Sequence, residues 1–523
     1  MKQSDNILFS LVPFRGKNSR YGGKGVYFAR LLMVCLLLIG LGGKVNGQTN
    51  WNTIASGDWN NPAIWSKSGS ATSSTYPGEF AGGTHNVQLG HAVTITTDVP
   101  NAISTLTING ALNTGNYNLT VAGDVSGNSS LTMGSGTLTI GGNSNGLALS
   151  SFTYGTGTIQ YNGTAAQSIE GLNYYNLIIS GTSTKTLAGG TNVYGTLDIN
   201  SGVLNAAGQS ITARGATNIY GEFRETNTGG TDQFWGIVRI YSGGKWNFVV
   251  NESAEFRGGL YVENGATFTS GTGTYSFTTN SQTISGTAAS IAFGGNVVVN
   301  PGAGNTLTCS GIATINAGSI TINPSTSTNI SLSVSSGTTV AVTNTITLNN
   351  SATGSRNATI TGAGSLSCAT LNIGNGTTSQ TSNRTHALVS SISSFSIGNI
   401  NIYSYYNSPN TGNGTFDIVS GTVTVNGTIT TSNANAANTS TFTMATTDPQ
   451  SGTLILNKNG NPFSISASGT SVINLNGTDN TVNYNFSGAQ TIYPVAYHNL
   501  YLSAGGAKTL QSGTSIISGD LIL

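Results

Sequence analysis

One short pattern recurs along this chain from residue 106 onward: an aliphatic residue, a hydroxyl or amide, another aliphatic, and then a turn signal. Leu106-Thr107-Ile108, Leu119-Thr120-Val121, Leu138-Thr139-Ile140, Leu177-Ile178-Ile179, Leu197-Asp198-Ile199, Val297-Val298-Val299, Ile320-Thr321-Ile322, Val423-Thr424-Val425 and Leu454-Ile455-Leu456 are examples. Alternation of this kind sends the two sets of side chains to opposite faces of a strand. Asn-Gly, Ser-Gly and Gly-Gly pairs between the segments supply the positive φ angles of tight turns. Apolar residues at helical spacing are missing after residue 50, so an all-β architecture is predicted.

A string of β-sandwiches and a wound solenoid both satisfy that pattern, and internal repeats discriminate between them. Tyr161, Asn162, Ala166, Gln167, Ile169, Tyr174, Asn176, Leu177, Ser180, Lys185, Thr186 and Leu187 return as Tyr484, Asn485, Ala489, Gln490, Ile492, Tyr497, Asn499, Leu500, Ser503, Lys508, Thr509 and Leu510. A decayed copy runs through Gln282-Thr283-Ile284, Asn296-Val297 and Asn305-Thr306-Leu307. In a parallel β-helix or β-solenoid each coil presents the same face to the next, so Asn, Ser and Thr stack into ladders while aliphatics fill the interior. Glycine, 72 of 523 residues, suits the corners, and no charged or proline-rich linker divides residues 125–523. The expected organisation is therefore a segment 1–47 removed on export, an N-terminal β module or cap over 48–124, and a repetitive β-solenoid over 125–523. Tandem sandwiches are the alternative.

Residues 1–30 carry six basic residues against Asp5 alone, and the apolar run Leu31–Leu41 follows, then Val45-Asn46-Gly47. A basic region, an apolar core and a small-residue exit read as a secretory signal peptide. The core is shorter than the roughly 17–25 residues that cross a bilayer; a signal anchor is the competing reading. After residue 47 the chain has 11 basic and 16 acidic residues. That mildly acidic balance gives no electrostatic footprint for nucleic acid. Cys309 and Cys368 either pair in an oxidising compartment or remain buried thiols.

Trp51, Trp59 and Trp65 crowd the start of the 48–124 module. Indoles there suit the end of a solenoid, whose open strand edges must be covered; a glycan-binding platform is the sharper alternative. The opening Gly57-Asp58-Trp59-Asn60-Asn61-Pro62-Ala63-Ile64-Trp65, the strand pair His85–Ile95 and Leu106-Thr107-Ile108-Asn109-Gly110 resemble the start of large secreted surface proteins of Bacteroidetes-type bacteria. They are also similar to the eight-glycine β-domain that precedes β-helices in some extracellular proteins. The Tyr-Asn, Gln-Thr-Ile, Asn-Leu and Lys-Thr-Leu repeat resembles the repeats of the same surface proteins. The resemblance implies a bacterial outer-membrane context, export through both membranes (a type IX secretion route) and an adhesin-like role at the cell surface. It carries over no catalytic residue. Such proteins usually end in a compact sorting or anchoring domain, whereas this sequence stops at Gly519-Asp520-Leu521-Ile522-Leu523; a truncated C-terminus is expected on that comparison.

Chemistry-bearing side chains concentrate in residues 214–268, which hold six acids, five basic residues and ten aromatics. Two readings compete there: Arg–Glu pairs on a solvated face of long-side-chain coils, or a glycan-binding site near 222–263 built on Trp235, Tyr241 and Trp246 with Glu222, Glu255 and Arg257. Indole and phenol faces supply apolar area beside polar rims. Polysaccharide cleavage is the enzymatic variant of the second reading, but the paired carboxylates of a glycosidase are not evident. His85 and His91 lack the spacing of a zinc motif, and no phosphate-binding loop or nucleophile elbow occurs. No catalytic, metal or cofactor residue is assigned. The expectation is a non-enzymatic, secreted or surface-attached structural or adhesin-like protein whose partners are glycans or a host or neighbouring cell surface.

Overall fold

The computed structural model describes residues 48–69, 73–81, 84–144, 146–324, 329–348, 356–374, 384–404, 412–444 and 451–523. The expected signal peptide, 1–47, lies outside the described residues. Among them every regular element is a strand except the single 3-10 turn Pro62–Ile64, and no helix is long and apolar enough to cross a membrane.

The protein is all-β, built on long parallel sheets. Three ladders of parallel pairs organise it. In the first, Leu119–Val121, Thr137–Ile140, Thr158–Tyr161, Asn176–Ile179, Leu197–Ile199 and Thr217–Ile219 pair in succession. The second begins with Gln167–Ile169, Thr184–Leu187, Val203–Asn205, Glu222–Glu225 and Lys245–Phe248. The third begins with Asn173–Tyr174, Thr191–Val193, Ile211–Ala213, Asp232–Phe234 and Ala254–Phe256. From Leu119–Val121 to Ala254–Phe256 the chain visits the ladders in strict rotation, so each strand meets the one three elements later. Parallel pairing requires such a crossover and cannot be closed by a two-residue hairpin.

Period-two alternation gives the register its meaning. Ile179, Ile199, Ile219 and Ile240 stand one over another, all fully buried. A one-residue slip anywhere would turn such a column outward. Amides stack on the outside: Asn457 donates to Asn426 at 3.1 Å, and Asn485 donates to Asn457 at 3.2 Å. Side-chain bonds between neighbouring levels join residues 20 apart at Gln160–Ser180, 29 apart at Asn372–Asn401 and again 20 apart at Asn483–Ser503, so the crossover is longest in the middle of the chain. In the long region one unbroken strand, Arg356–Ile373, runs beside Arg384–Ser404 and crosses all three ladders, with a register shift between Gly362 and Ser365. Corners elsewhere need glycine. Gly181 has φ +80°, and a Cβ there would lie 2.4 Å from the Gly163 carbonyl oxygen of the level below.

Parallel pairing also runs across residues 124 and 125, because Thr105–Ile108 pairs with both Thr84–Leu89 and Val125–Gly127. The N-terminal departure is local. Gln48–Thr53 pairs in parallel with Thr84–Leu89 and antiparallel, on its other side, with Trp65–Gly69. Trp51, Trp59 and Trp65 pack edge to face beneath this pair, with ring centroids 6.2 and 5.2 Å apart. All three are buried. The indole N–H of Trp59 donates to Pro77 O at 2.9 Å, and that of Trp65 to Trp59 O at 2.7 Å. This corrects the glycan-platform alternative for these indoles, whose faces are consumed by one another and by the core. His85 is likewise buried, against Trp51, and burial lowers its pKa. Cys309 and Cys368 are buried free thiols, each pushed up to about 12 by burial.

The two clear repeat copies fold into the same corner. Gln167 Nε2 donates to Ile140 O at 3.0 Å while its Oε1 accepts from Gly163 N at 2.8 Å. Gln490 Nε2 donates to Leu456 O at 2.9 Å and its Oε1 accepts from Phe486 N at 2.9 Å. The Tyr161 and Tyr174 hydroxyls meet at 3.4 Å, and those of Tyr484 and Tyr497 at 3.0 Å. Lys185 Nζ donates to Gly163 O at 2.7 Å; Lys508 Nζ donates to Phe486 O at 2.5 Å. Yet the copies occupy different faces. Thr158–Tyr161 belongs to the first ladder, whereas Thr481–Tyr484 continues the second, through Gly452–Leu456 and Gly421–Val425. The repeat is thus displaced by one ladder. The decayed copy does not keep the corner: Gln282 stands opposite Leu307, where Gln167 stands opposite Lys185.

Candidate functional site

Residues 214–268 supply both a cluster of buried aromatics and the densest run of charged side chains. Inward parity carries Phe223, Phe234, Trp246, Phe248 and Phe256, all fully buried. Trp246 stacks on Phe248 with centroids 4.6 Å apart, and its indole N–H donates to the Tyr275 hydroxyl at 3.2 Å. The expectation that Trp246 binds a ligand is therefore corrected. It shares its parity with Phe223, its register partner, and that parity faces the core.

Outside, the residues just after the third ladder form a column. Val193, Ala213, Phe234 and Phe256 are register partners, so Tyr194, Arg214, Trp235 and Arg257 follow one another up the corner. Tyr154 stacks on Tyr194 at 5.0 Å and 14°. The Arg214 guanidinium lies 4.9 Å from the Tyr194 ring centre and 4.3 Å from that of Trp235, and Arg257 lies 4.6 Å from Trp235 on the next level. Cation–π contacts of this kind contribute about 0.5–2 kcal/mol each. Trp235 is 38% exposed, and guanidinium groups from two levels approach its ring.

A second column follows the first ladder. Tyr220 stacks on Tyr241 at 4.1 Å and 7°, and the Tyr241 hydroxyl donates to Asn218 Oδ1 at 3.4 Å. Nearby, Arg239 sits over Tyr261 at 5.9 Å. Of the six residues expected at the site, the structure brings together Trp235, Arg257 and Glu255. Tyr241 stands on a different corner. Glu222 is buried on the outer side of the second ladder, taking Arg224 Nε and Asn247 Nδ2 at 2.7 Å each.

Glu222 and Glu255 resemble one another electrostatically. Burial works against ionisation in both, but the hydrogen bonds from Arg224 and Asn247, and from Arg257 and Thr278, hold the carboxyls below their ordinary range. Arg257 grips Glu255 with two bonds, Nε to Oε1 at 2.9 Å and a terminal nitrogen to Oε2 at 3.2 Å. Bidentate pairing fixes geometry as well as charge.

A third group was not anticipated. Glu225, Asp232 and Glu252 are buried at the corner between the second and third ladders. Each caps a backbone N–H of the level below: Gly208 at 2.9 Å, Ile211 at 3.1 Å and Gly229 at 3.0 Å. Burial, reinforced by the charge of Glu252, pushes Glu225 up to about 7. Burial and then Glu225 raise Asp232 well above its ordinary range. Glu225 and Asp232 occupy inward parity beside Phe223 and Phe234, a signal that was available in the sequence. With almost no solvent contact, the three form no cleft that a polysaccharide enters. Among the described residues no cluster of three His, Cys, Asp or Glu is placed to hold a metal ion.

An open trough of about 320 Å³ lies on the outer side of the N-terminal sheet, lined by Asn50, Asn52, Asn86, Gln88, Thr105 and Thr107 among others. Its amides and hydroxyls bond to one another, Asn86 to Asn50 at 3.2 Å and Thr105 to Asn86 at 3.1 Å. Compared with protein-family models, curated proteins and solved structures, the chain matches none.

Proposed function

We propose that the chain is a parallel β-solenoid working as a non-enzymatic, extracellular or cell-surface structural and adhesin-like rod. The observation that supports this reading best is the rotation of successive strands through three parallel ladders with like residues in register. A winding of that kind has length and surface as its product. About twenty levels at about 4.8 Å each give a rod on the order of 100 Å long. In this reading the antiparallel strand Trp65–Gly69, lying against the outer edge of Gln48–Thr53, is the N-terminal cap, covering an edge that otherwise invites further pairing.

Export rests on the basic and apolar pattern of residues 1–47. Purified secreted protein should begin at Gln48 by N-terminal sequencing. Electron microscopy of the same material should give stiff, unbranched rods of constant width. Beads joined by hinges, or compact spheres, would overturn the solenoid.

A further inference from the structure

We infer that Arg214 is a receptor for the carboxylate of an acidic polysaccharide, a guanidinium fork clamped between Tyr194 and Trp235. The inference rests on the solenoid reading, because the column exists only if the levels stack. Three E-x-R or related triplets show the logic. In Glu222-Phe223-Arg224 and Glu255-Phe256-Arg257 the acid two residues before the arginine fills its fork. In Thr212-Ala213-Arg214 that place is taken by threonine. Thr212, Gln233 and Glu255 are register partners on successive levels, so Thr212 occupies at its level the position that Glu255 occupies two levels on.

Arg214 is therefore held like Arg257 but left unfilled. Aromatic rings cover both of its faces, at 4.9 and 4.3 Å. Its N–H groups lie in the guanidinium plane and point away from the two rings, and they meet no acceptor among the described residues. A planar fork immobilised this way loses little side-chain entropy on binding, and carboxylate matches it with two parallel bonds. Arg257 with Glu255 is the internal example of the complex that Arg214 awaits. A polymer suits the surroundings better than a small acid. Arg214 and Arg257 stand on the same corner two levels apart, on either side of Trp235, and the column runs along the winding with Tyr154 at its far end. Binding uses guanidinium edges and carboxylate charge, not the ring stacking expected of Trp235.

The test uses the secreted protein retained on immobilised polygalacturonate, with dextran sulfate and uncharged dextran as parallel supports. Wild type should be retained on polygalacturonate, released by moderate salt, and pass freely through dextran. Arg214→Ala should lower retention about tenfold, the loss of a charge-assisted pair. Thr212→Glu is the decisive variant: an internal carboxylate should fill the fork and abolish retention while leaving the circular dichroism and melting profile intact. Arg214→Lys, which keeps the charge but not the fork, should retain little. Equal retention of wild type and Thr212→Glu, or none by wild type, overturns the inference. Retention on dextran sulfate alone replaces carboxylate by sulfate as the group recognised and overturns the stated ligand. Rods by microscopy without retention would refute the receptor and leave the solenoid standing; beads or spheres would remove both.

Discussion

The two copies of the repeat, one at residues 160–187 and the other at 483–510, make the same corner and have different fates. Glutamine, paired tyrosines and lysine bond in the same pattern in both. Leu187, in the first copy, is 3% exposed, and its counterpart Leu510 is 63% exposed. The Thr184–Leu187 strand is paired on both sides, with Gln167–Ile169 below and Val203–Asn205 above. Lys508–Leu510 is paired only with Gln490–Ile492. Identical local chemistry therefore gives an identical corner, while burial is conferred by the level above. A corner is a property of about thirty residues, but a core position is a property of two levels.

The largest effect that tests this contrast is at the leucines. Leu187→Ala should cost about 2–5 kcal/mol, as deletion of a buried leucine does. In a chain that ends at Leu523, Leu510→Ala should change stability by about 0.5 kcal/mol or less, like other exposed substitutions. Thermal unfolding of the two variants measures both, and equal losses would break the comparison.

A smaller effect contrasts the amide corner with the carboxylate corner at Glu225. Folded Glu225 holds its proton up to about pH 7, above the ordinary value of 4.5. Its contribution is thus complete below about pH 4.5 and is lost as pH rises through 7. Stability should fall by about 2–3 kcal/mol between pH 5 and 8. Glu225→Gln should flatten that slope, whereas Gln490→Leu should leave it unchanged. A pH-independent wild type sinks the assignment.

The smallest effect compares the glutamines directly. Gln167→Leu and Gln490→Leu each strand a backbone N–H and a carbonyl of the level below, at about 1–3 kcal/mol. Because the corner is local, both variants should lose similar amounts in chemical denaturation. A loss confined to Gln167 would mean that the corner needs a covering level.

Much of the architecture was legible. Segments such as Leu197-Asp198-Ile199 carry their strand assignment and their inward face in the alternation, and the Gln167 and Gln490 repeats announced one unit used twice. The candidate site was legible only in part. Density of charge and aromatics drew the eye to 214–268, but density does not distinguish Trp246, pointing inward, from Trp235, pointing outward; parity does, and it was there to be read. Arg214 was overlooked because its partners, Tyr194 and Trp235, stand about twenty residues away on either side, a spacing that has meaning only once the length of one level is known. Glu225 and Asp232 sat at core parity next to phenylalanines, a conflict between residue type and position that marks a special environment.

Sequence by itself determined that this chain forms strands, which side of each strand is apolar, and that the 160–187 corner recurs, because these depend on period-two geometry and on contacts within a few tens of residues. Tertiary structure alone decided which ladder each strand joins, that the second copy sits one ladder on from the first, and which aromatic rings spend their faces on guanidinium groups. Those outcomes depend on the number of residues between one level and the next, which changes along the chain and leaves no local mark.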